Sequence, residues 1–358
     1  MTGCFACFKL PDSSSYSELS YPGPALVPDC LEDAFSQQGF LIAPFHMTED
    51  TPLLFIPAEY VRESPLPSAN DVSTSDSGFP SCRQLFNVPD SYAVCFERVH
   101  SAVASGTFRK LVLSRSRTVE IDFDGDCKSL FLKLCARYPG MMVCLFHTPQ
   151  SGTWIEATPE PLLLAVHRDG ADHDSGTMTD CHTVALAGTM EARCGASEQW
   201  SEKNRAEQNV VERFIADSVS PYASELKLCG PYTVKAGHLL HLRTDIDFKA
   251  DRRDIGKIVA ALHPTPAVCG LPRKEAMDFI LETEGDSRRY YSGFAGPVGI
   301  NGATRLYVSL RCAEISDDRK CATLYAGGGI MPESVCEAEF EETELKMRTL
   351  GCTVASRT

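Results

Sequence analysis

Arg305-Leu-Tyr-Val-Ser-Leu-Arg-Cys-Ala-Glu-Ile315 is followed, after a short polar link, by Cys321-Ala-Thr-Leu-Tyr-Ala-Gly-Gly-Gly329. In the first segment Leu306, Val308, Leu310 and Cys312 share one face, and Tyr307, Ser309 and Arg311 share the other. That period of two marks a strand with one side in a core. The short link to a second apolar run reads as antiparallel pairing, because a parallel return needs a long crossover. Lys110 to Ile121 reads as another strand, with Leu111 and Leu113 opposed to Lys110, Val112 and Ser114. Met141 to Phe146, Leu162 to Val166 and Thr233 to Leu242 are further strand candidates. Helical spacing marks Asp90 to Gly106, through Tyr92, Cys95, Phe96, Val99 and Val103, and also Ser197 to Ala216, Arg273 to Leu281 and Glu333 to Leu350. The regular strand–helix rhythm of a doubly wound sheet is absent. The expectation is a mixed α/β (α+β) protein with largely antiparallel sheets. Residues 1–85 are irregular, with one apolar run at Phe40 to Phe45 and a Ser/Pro/Asp/Gly-rich stretch from Glu63 to Cys82 that reads as a surface loop. They are expected to be an N-terminal part of the same fold, ahead of a main domain at 86–352.

The chain has 358 residues and a formal net charge of −14. Such a surface repels phosphate backbones and offers no polybasic anchor, so nucleic acid and membrane are not expected as partners. No segment has the form of a signal peptide or the length of a membrane span, and a cytoplasmic location with reduced thiols is expected. Of the 16 cysteines, only Cys4 and Cys7 lie close together, with no second pair at zinc spacing, so the thiols read as small apolar filler. Asp172-His173-Asp174 sits in a Gly/Asp-rich stretch and reads as a solvated loop.

Four features carry chemistry. Lys110 opens a strand on the face opposite Leu111 and Leu113, where it either caps the strand end or points into a site. Glu160, in Ala157-Thr-Pro-Glu160, lies in a turn before an apolar strand. Glu207 falls in line with Val211, Phe214 and Ile215 along one helix stripe, so its carboxylate continues an apolar face; a buried carboxylate needs a metal, a cation or a proton. Glu339, Glu342 and Lys346 share a face of the last helix, which taken alone favours a salt-bridged solvent face. If the two helices brought these glutamates together, they would form an oxygen site for a hard cation such as Mg²⁺. Gly327-Gly328-Gly329 after a strand would leave backbone N–H groups free to meet an anion, and Arg311 is suited to clamp a carboxylate.

These segments, read in order, resemble the chorismate-utilising enzymes: isochorismate synthases, salicylate synthases and anthranilate synthase large chains. The resemblance rests on Lys110-Leu-Val-Leu-Ser-Arg115, Ala157-Thr-Pro-Glu160, Ala185-Leu-Ala-Gly-Thr189, Glu202-Lys-Asn-Arg-Ala-Glu207 and Leu262-His-Pro-Thr-Pro-Ala-Val268. It continues through Tyr291-Ser-Gly293, Leu310-Arg-Cys312, Ala326-Gly-Gly-Gly-Ile330 and Glu339-Phe-Glu-Glu-Thr343. It implies a four-layer αββα sandwich with two antiparallel sheets, like anthranilate synthase component I. Lys110 and His263-Pro-Thr-Pro266 are similar to the isochorismate and salicylate branch, in which water and not ammonia attacks. The resemblance implies an isomerase in which Lys110 is the general base for water at C2 of chorismate and Glu160 the acid at the C4 hydroxyl. Mg²⁺ would be held by Glu207 and Glu342, with Glu339 supporting the metal shell. Arg311 and Tyr291 would hold the pyruvyl carboxylate, Lys346 and the Gly327 and Gly328 amides would help with carboxylates, and Gly188, Thr189, His241 and Thr265 would line the substrate site. No glutaminase partner is implied. Menaquinone or siderophore biosynthesis is the expected setting. A salicylate synthase, an anthranilate-type synthase and a non-catalytic homologue remain as alternatives. Two departures stand out: Asn204 replaces a usual acid and Gln208 a usual histidine, and the first should weaken the metal shell.

Overall fold

The structure, a computed structural model, describes residues 3–67, 88–121, 126–167, 178–191, 199–236 and 239–354. In chain order the strands are β1 (Cys4–Lys9), β2 (Ser15–Tyr21), β3 (Gly39–Ala43), β4 (Leu54–Pro57), β5 (Val61–Pro65) and β6 (Lys110–Glu120). They continue with β7 (Met142–Thr148), β8 (Gly152–Thr158), β9 (Pro161–His167), β10 (Met178–Glu191), β11 (Ser224–Ala236) and β12 (Leu239–Asp251). The last are β13 (Gly270–Leu271), β14 (Phe294–Val298), β15 (Ala303–Val308), β16 (Cys312–Ile315) and β17 (Cys321–Ile330). The helices are α1 (Asp90–Ala104), α2 (Cys127–Arg137), α3 (Glu202–Val219), α4 (Ile255–Leu262), α5 (Arg273–Thr283) and α6 (Cys336–Val354).

Nine strands form one sheet, in the order β13-β6-β17-β16-β8-β7-β1-β2-β5, and eight form the other, β11-β12-β10-β9-β15-β14-β3-β4. The pairings are antiparallel throughout. Between the sheets lie Phe8, Phe40, Ile42, Phe146, Trp154 and Tyr307, drawn from both. Val211, Ile215, Ile258 and Leu262 of α3 and α4 cover the outer face of the eight-stranded sheet against Leu163, Ala185 and Leu306. Leu130, Phe131, Leu134, Met347 and Leu350 of α2 and α6 cover the nine-stranded sheet against Val143, Leu145 and Ile155. Helices α1 and α5 pack over its far end, against Leu111 and Leu113. Each large apolar side chain so buried contributes roughly 1.5–3 kcal/mol. The result is four layers, helix–sheet–sheet–helix. The N-terminal strands are woven into both sheets, β1, β2 and β5 into one and β3 and β4 into the other.

Several strand readings need correction. Arg305–Ile315 is two strands in different sheets: β15 ends at Val308, and β16 begins at Cys312. The shared face does not carry across the break: Leu306 and Val308 lie under the helices of the eight-stranded sheet, whereas Cys312 joins Tyr307 between the sheets, so the linker shifts the phase by one residue. Thr233–Leu242 spans the end of β11 and the start of β12, two neighbours of one hairpin. The Gly327-Gly328-Gly329 triplet is not a turn. It lies inside β17, opposite Ser114, Leu113 and Val112 of β6, so its amides belong to a strand. The first residues of the Glu63–Cys82 stretch form the end of β5, paired with β2. Its residues 68–82 and Asp172-His173-Asp174 lie outside the described residues.

The sheet change at 309–311 has a counterpart. The chain passes from β8 in the nine-stranded sheet to β9 in the eight-stranded one through Pro159 and Glu160. The two crossings are hydrogen-bonded to each other: Ala157 N–H donates to the Arg311 carbonyl at 2.8 Å, Val308 N–H to the Glu160 carbonyl at 2.9 Å, and Thr158 Oγ1 to the Val308 carbonyl at 2.7 Å. Glu160 and Arg311 are thereby set side by side at a corner of the sandwich.

Candidate active site

Lys110 is the first residue of β6 and fully buried. Its Nζ lies 2.8 Å from Glu207 Oε1, at ion-pair distance though outside hydrogen-bond alignment. The strand-cap reading is therefore overturned. Glu207 is delivered by α3, which begins where the Ser201 side chain accepts the Asn204 N–H. From there Glu207, Val211 and Ile215 run down one buried stripe, as the spacing required. Glu160 is 3% exposed and not a solvated turn residue. Burial raises its pKa to about 7, while Arg311, Lys110 and Lys346 pull the other way. A carboxyl in this state is half protonated near neutrality and suits a general acid.

The solvent-face reading of the last helix also fails. Glu339 is buried, and Glu342 and Lys346 are largely so. Lys346 Nζ lies 2.7 Å from Glu342 Oε1 and donates to the Gly327 carbonyl at 2.8 Å. Burial works against the Glu342 charge, but the Lys346 ammonium holds its carboxyl below the ordinary range. Glu339 goes the other way, raised by burial and by the neighbouring Glu342 charge. Helix α6 is pinned to β6 by Arg115, whose Nε donates to Thr343 Oγ1 at 2.6 Å and whose guanidinium pairs with Glu344 and lies over the Phe340 ring. This fixes the glutamates of α6 relative to Lys110.

Arg311 is buried, and among the described residues no carboxylate pairs with it at ion-pair distance. Burial lowers its pKa, with Tyr291, Glu160 and Glu342 opposing. An uncompensated buried guanidinium costs several kcal/mol of desolvation, so the site is built to receive an anion. Tyr291 stands beside it, stacked on Tyr325 with centroids 5.6 Å apart; its hydroxyl lies 2.8 Å from where a Cβ on Gly327 would stand. His241 Nδ1 is 3.1 Å from the Gly188 carbonyl and 3.4 Å from Thr189 Oγ1. With Nδ1 donating to that carbonyl, Nε2 is left as a buried acceptor without a partner. Burial, with Arg311 and Lys346 adding to it, lowers the His241 pKa to about 3, so the ring is neutral. Gly188 makes a β-bulge at φ +68, where an added Cβ would stand 3.1 Å from the Asn204 Cβ. Thr265 is buried with an unpartnered hydroxyl, and no hydrogen bond joins it to the other site residues.

Two residues escaped the sequence reading. Lys203 pairs with Glu339. Burial opposes its charge, but Glu339, with Glu342 and Glu207 behind it, more than offsets this and raises its pKa. The available signal was its place four residues before Glu207, hence on the same helix face. Glu156 in β8 is fully buried with Oε1 unpartnered, and burial raises its pKa to about 7. It sits beside Cys144 and Cys312, and nothing in its local pattern distinguished it from a strand-face glutamate.

Three carboxylates, Glu207, Glu339 and Glu342, thus meet from two helices, and each carries a lysine. In this arrangement no group of three or more His, Cys, Asp or Glu side chains among the described residues is set to hold a metal. The donor set nonetheless suits a hard cation. The oxygens are carboxylate, Glu339 Oε2 is buried without a partner, and Gly328 leaves open the space where a Cβ would come 3.2 Å from Glu339 Oε2 and 3.9 Å from Glu342 Oε1. Gln208 takes no part: its Nε2 donates to the Ala185 carbonyl at 3.0 Å and to Thr244 Oγ1 at 3.1 Å. No helix among the described residues is long and apolar enough to cross a membrane.

The family model for chorismate binding enzymes matches residues 37–354. A protein of Mycobacterium tuberculosis provisionally named isochorismate synthase MenF is 32% identical over 275 residues, which is 73% of this chain and 72% of that protein. The isochorismate synthase EntC of Escherichia coli is 28% identical over 360 residues, 98% of this chain and 90% of its own. Among solved structures, the menaquinone-specific isochorismate synthase MenF of Escherichia coli superposes with a TM-score of 0.76 at 18% identity, covering 98% of this chain and 89% of that one. Anthranilate synthase component I of Streptococcus pneumoniae gives 0.66 at 17% identity, covering 96% and 90%. These two likenesses establish the αββα fold.

Proposed function

The chain belongs to the chorismate binding enzyme family, and from that premise we propose that it is an isochorismate synthase, adding water at C2 of chorismate and expelling the C4 hydroxyl. The observation that carries the reading is the buried trio of Lys110, Glu160 and Arg311: a base, an acid near half protonation and a cation without a counter-ion.

Chorismate is a dianion. Arg311 takes one carboxylate through two parallel N–H bonds, which repays the cost of burying its charge, and the Tyr291 hydroxyl closes over the same group. Lys110, as the neutral amine, accepts a proton from water as its oxygen bonds to C2. Its ammonium is paired with Glu207, so that pair has to open before Lys110 acts. Both ring double bonds shift, C1=C2 to C1=C6 and C5=C6 to C4=C5, and Glu160 gives its proton to the departing C4 oxygen, which leaves as water. One water enters and one leaves, so substrate and product are isomers. His241, neutral and with Nε2 free, accepts a hydrogen bond in the ring pocket without adding charge. Glu207 and Glu342, with Glu339 beside them, are the residues that would hold Mg²⁺, which supplies a counter-charge for the second carboxylate of the substrate. Menaquinone or siderophore biosynthesis is the setting consistent with the names of the relatives.

The test is incubation of the protein with chorismate, with and without Mg²⁺, and chromatography of the products. Isochorismate alone, dependent on Mg²⁺, supports the reading. Salicylate with pyruvate would make it a salicylate synthase, ammonia-dependent turnover an anthranilate-type enzyme, and no turnover a non-catalytic homologue.

A further inference from the structure

Each carboxylate of the α3–α6 cluster is matched by one ammonium: Lys110 on Glu207, Lys346 on Glu342 and Lys203 on Glu339. Three negative and three positive charges cancel before any ligand arrives. A divalent cation entering this buried cluster therefore adds uncompensated charge, unless one ammonium leaves. The three lysines are not equally free to go. Lys110 is fully buried at the start of β6 and is the proposed base. Lys346 is held twice, by Glu342 and by the Gly327 carbonyl, and its side chain is 12% exposed. Lys203 has Glu339 as its hydrogen-bond partner, its side chain is 21% exposed, and it stands in the first turn of α3, from which a four-carbon chain swings outward without disturbing the core. The carboxylate it covers has its other oxygen, Oε2, buried and unpartnered, facing the open space at Gly328.

We propose that Lys203 is a resident counter-ion that a divalent cation displaces from Glu339, so that Lys203 sets the metal affinity of the site. The inference rests on the metal reading of Glu207, Glu339 and Glu342 given above and adds the residue that competes with the metal. While Lys203 is in place the carboxylates are preorganised and their mutual repulsion is quenched; the same contact has to be given up for metal to bind. The metal then binds weakly to the free protein and more tightly once the anionic substrate has added negative charge.

The experiment needs no turnover. Full-length protein without substrate is titrated with Mn²⁺, free ion being read by electron paramagnetic resonance, and with Mg²⁺ by calorimetry. Lys203→Met keeps the chain length and removes the charge. It is expected to bind Mn²⁺ about tenfold tighter than the wild type, because one charged hydrogen bond no longer opposes binding. Lys203→Arg is expected to match the wild type. Metal-free Lys203→Met is expected to melt below the wild type, and saturating Mg²⁺ to raise its melting temperature by more. Lys203→Gln provides the same reading if the Met variant fails to fold. Equal or weaker Mn²⁺ binding by the neutral variants, with wild-type binding abolished by Glu342→Gln, overturns the role of Lys203 and leaves the metal site standing. Absence of Mn²⁺ binding in the wild type and all variants overturns both.

Discussion

Adding one methyl group at Gly329 should disable the proposed base without touching it. Gly329 lies in β17 opposite Val112, and its α-carbon faces the Lys110–Glu207 pair. A Cβ there would stand 2.7 Å from Lys110 Cε and closer still to Glu207 Oε1. Carbon atoms settle at 3.5–4.0 Å, so the lysine chain has to retreat by about 0.8 Å, and the carboxylate by more. Both are held by buried packing, so the retreat is not cheap; overpacking of this kind costs roughly 1–3 kcal/mol of stability. A misplacement of about 1 Å at a reacting group costs on the order of 10²-fold in rate, and Gly329→Ala should lose kcat on that scale. The neighbouring Gly328→Ala is the contrast: its Cβ would meet Glu339 Oε2 at 3.2 Å, in the space left beside the carboxylates and away from Lys110, so its loss should lie in the Mg²⁺ response and lessen at high Mg²⁺. Isochorismate formation followed by chromatography gives kcat and KM, and thermal melts give stability. A Gly329→Ala enzyme within about threefold of the wild-type kcat would refute the placement of Lys110 at the reacting water.

Three more outcomes follow from the geometry. Glu160 has to be protonated to act, and burial sets its pKa at about 7 in the ligand-free site; kcat/KM should fall tenfold per pH unit well above pH 7, and Glu156→Gln, which removes the other acid near 7, should leave that limb in place. If the limb disappears with Glu156→Gln instead, the acid has been misassigned. Arg311→Met should raise KM for chorismate by on the order of 10²-fold or more, the scale of a lost buried carboxylate clamp, while the ligand-free protein melts no lower than the wild type because an unpaired buried charge has gone; a lower melting temperature would point to a structural partner for Arg311. Lys9→Met should destabilise by roughly 1–3 kcal/mol, since Lys9 Nζ donates to the Tyr138 and Pro139 carbonyls at the end of α2, and denaturant melts should show this with kcat unchanged.

What the sequence disclosed and what it hid divide along a physical line. Glu207 was visible because a carboxylate in an apolar helix stripe has no cheap solution, and burial in α3 is where it is found. Glu339, Glu342 and Lys346 were visible as one face, but whether that face meets water or protein depends on what packs on it. That is decided by β17, which runs just before α6, together with β6 and α3, which are distant in sequence. Arg311 was assigned to a continuous strand because period-two alternation records which side a residue faces and not which sheet it belongs to. The same blindness joined the end of β11 to the start of β12, its antiparallel neighbour. The glycines at 327–329 were read for free backbone amides beyond a strand end; here they lie within the strand, and the missing side chains make room for Lys110 and the glutamates. Glu156 had no signal, because a glutamate on a strand facing another sheet looks the same as one facing solvent until the second sheet is in place.

The paired crossings between the sheets bear on how this scaffold changes over evolutionary time. Loops are the usual raw material for new specificity, since they vary in length without disturbing the frame. Here Glu160 and Arg311, the proposed acid and anion clamp, ride on two sheet-to-sheet passages laced together through Ala157, Thr158 and Val308, so an insertion at either passage displaces both at once. Divergence in product is therefore channelled away from relocating Glu160 or Arg311. It falls to substitutions among the side chains beside them, such as His241 and Tyr291, where a single exchange alters what the fixed pair is asked to do.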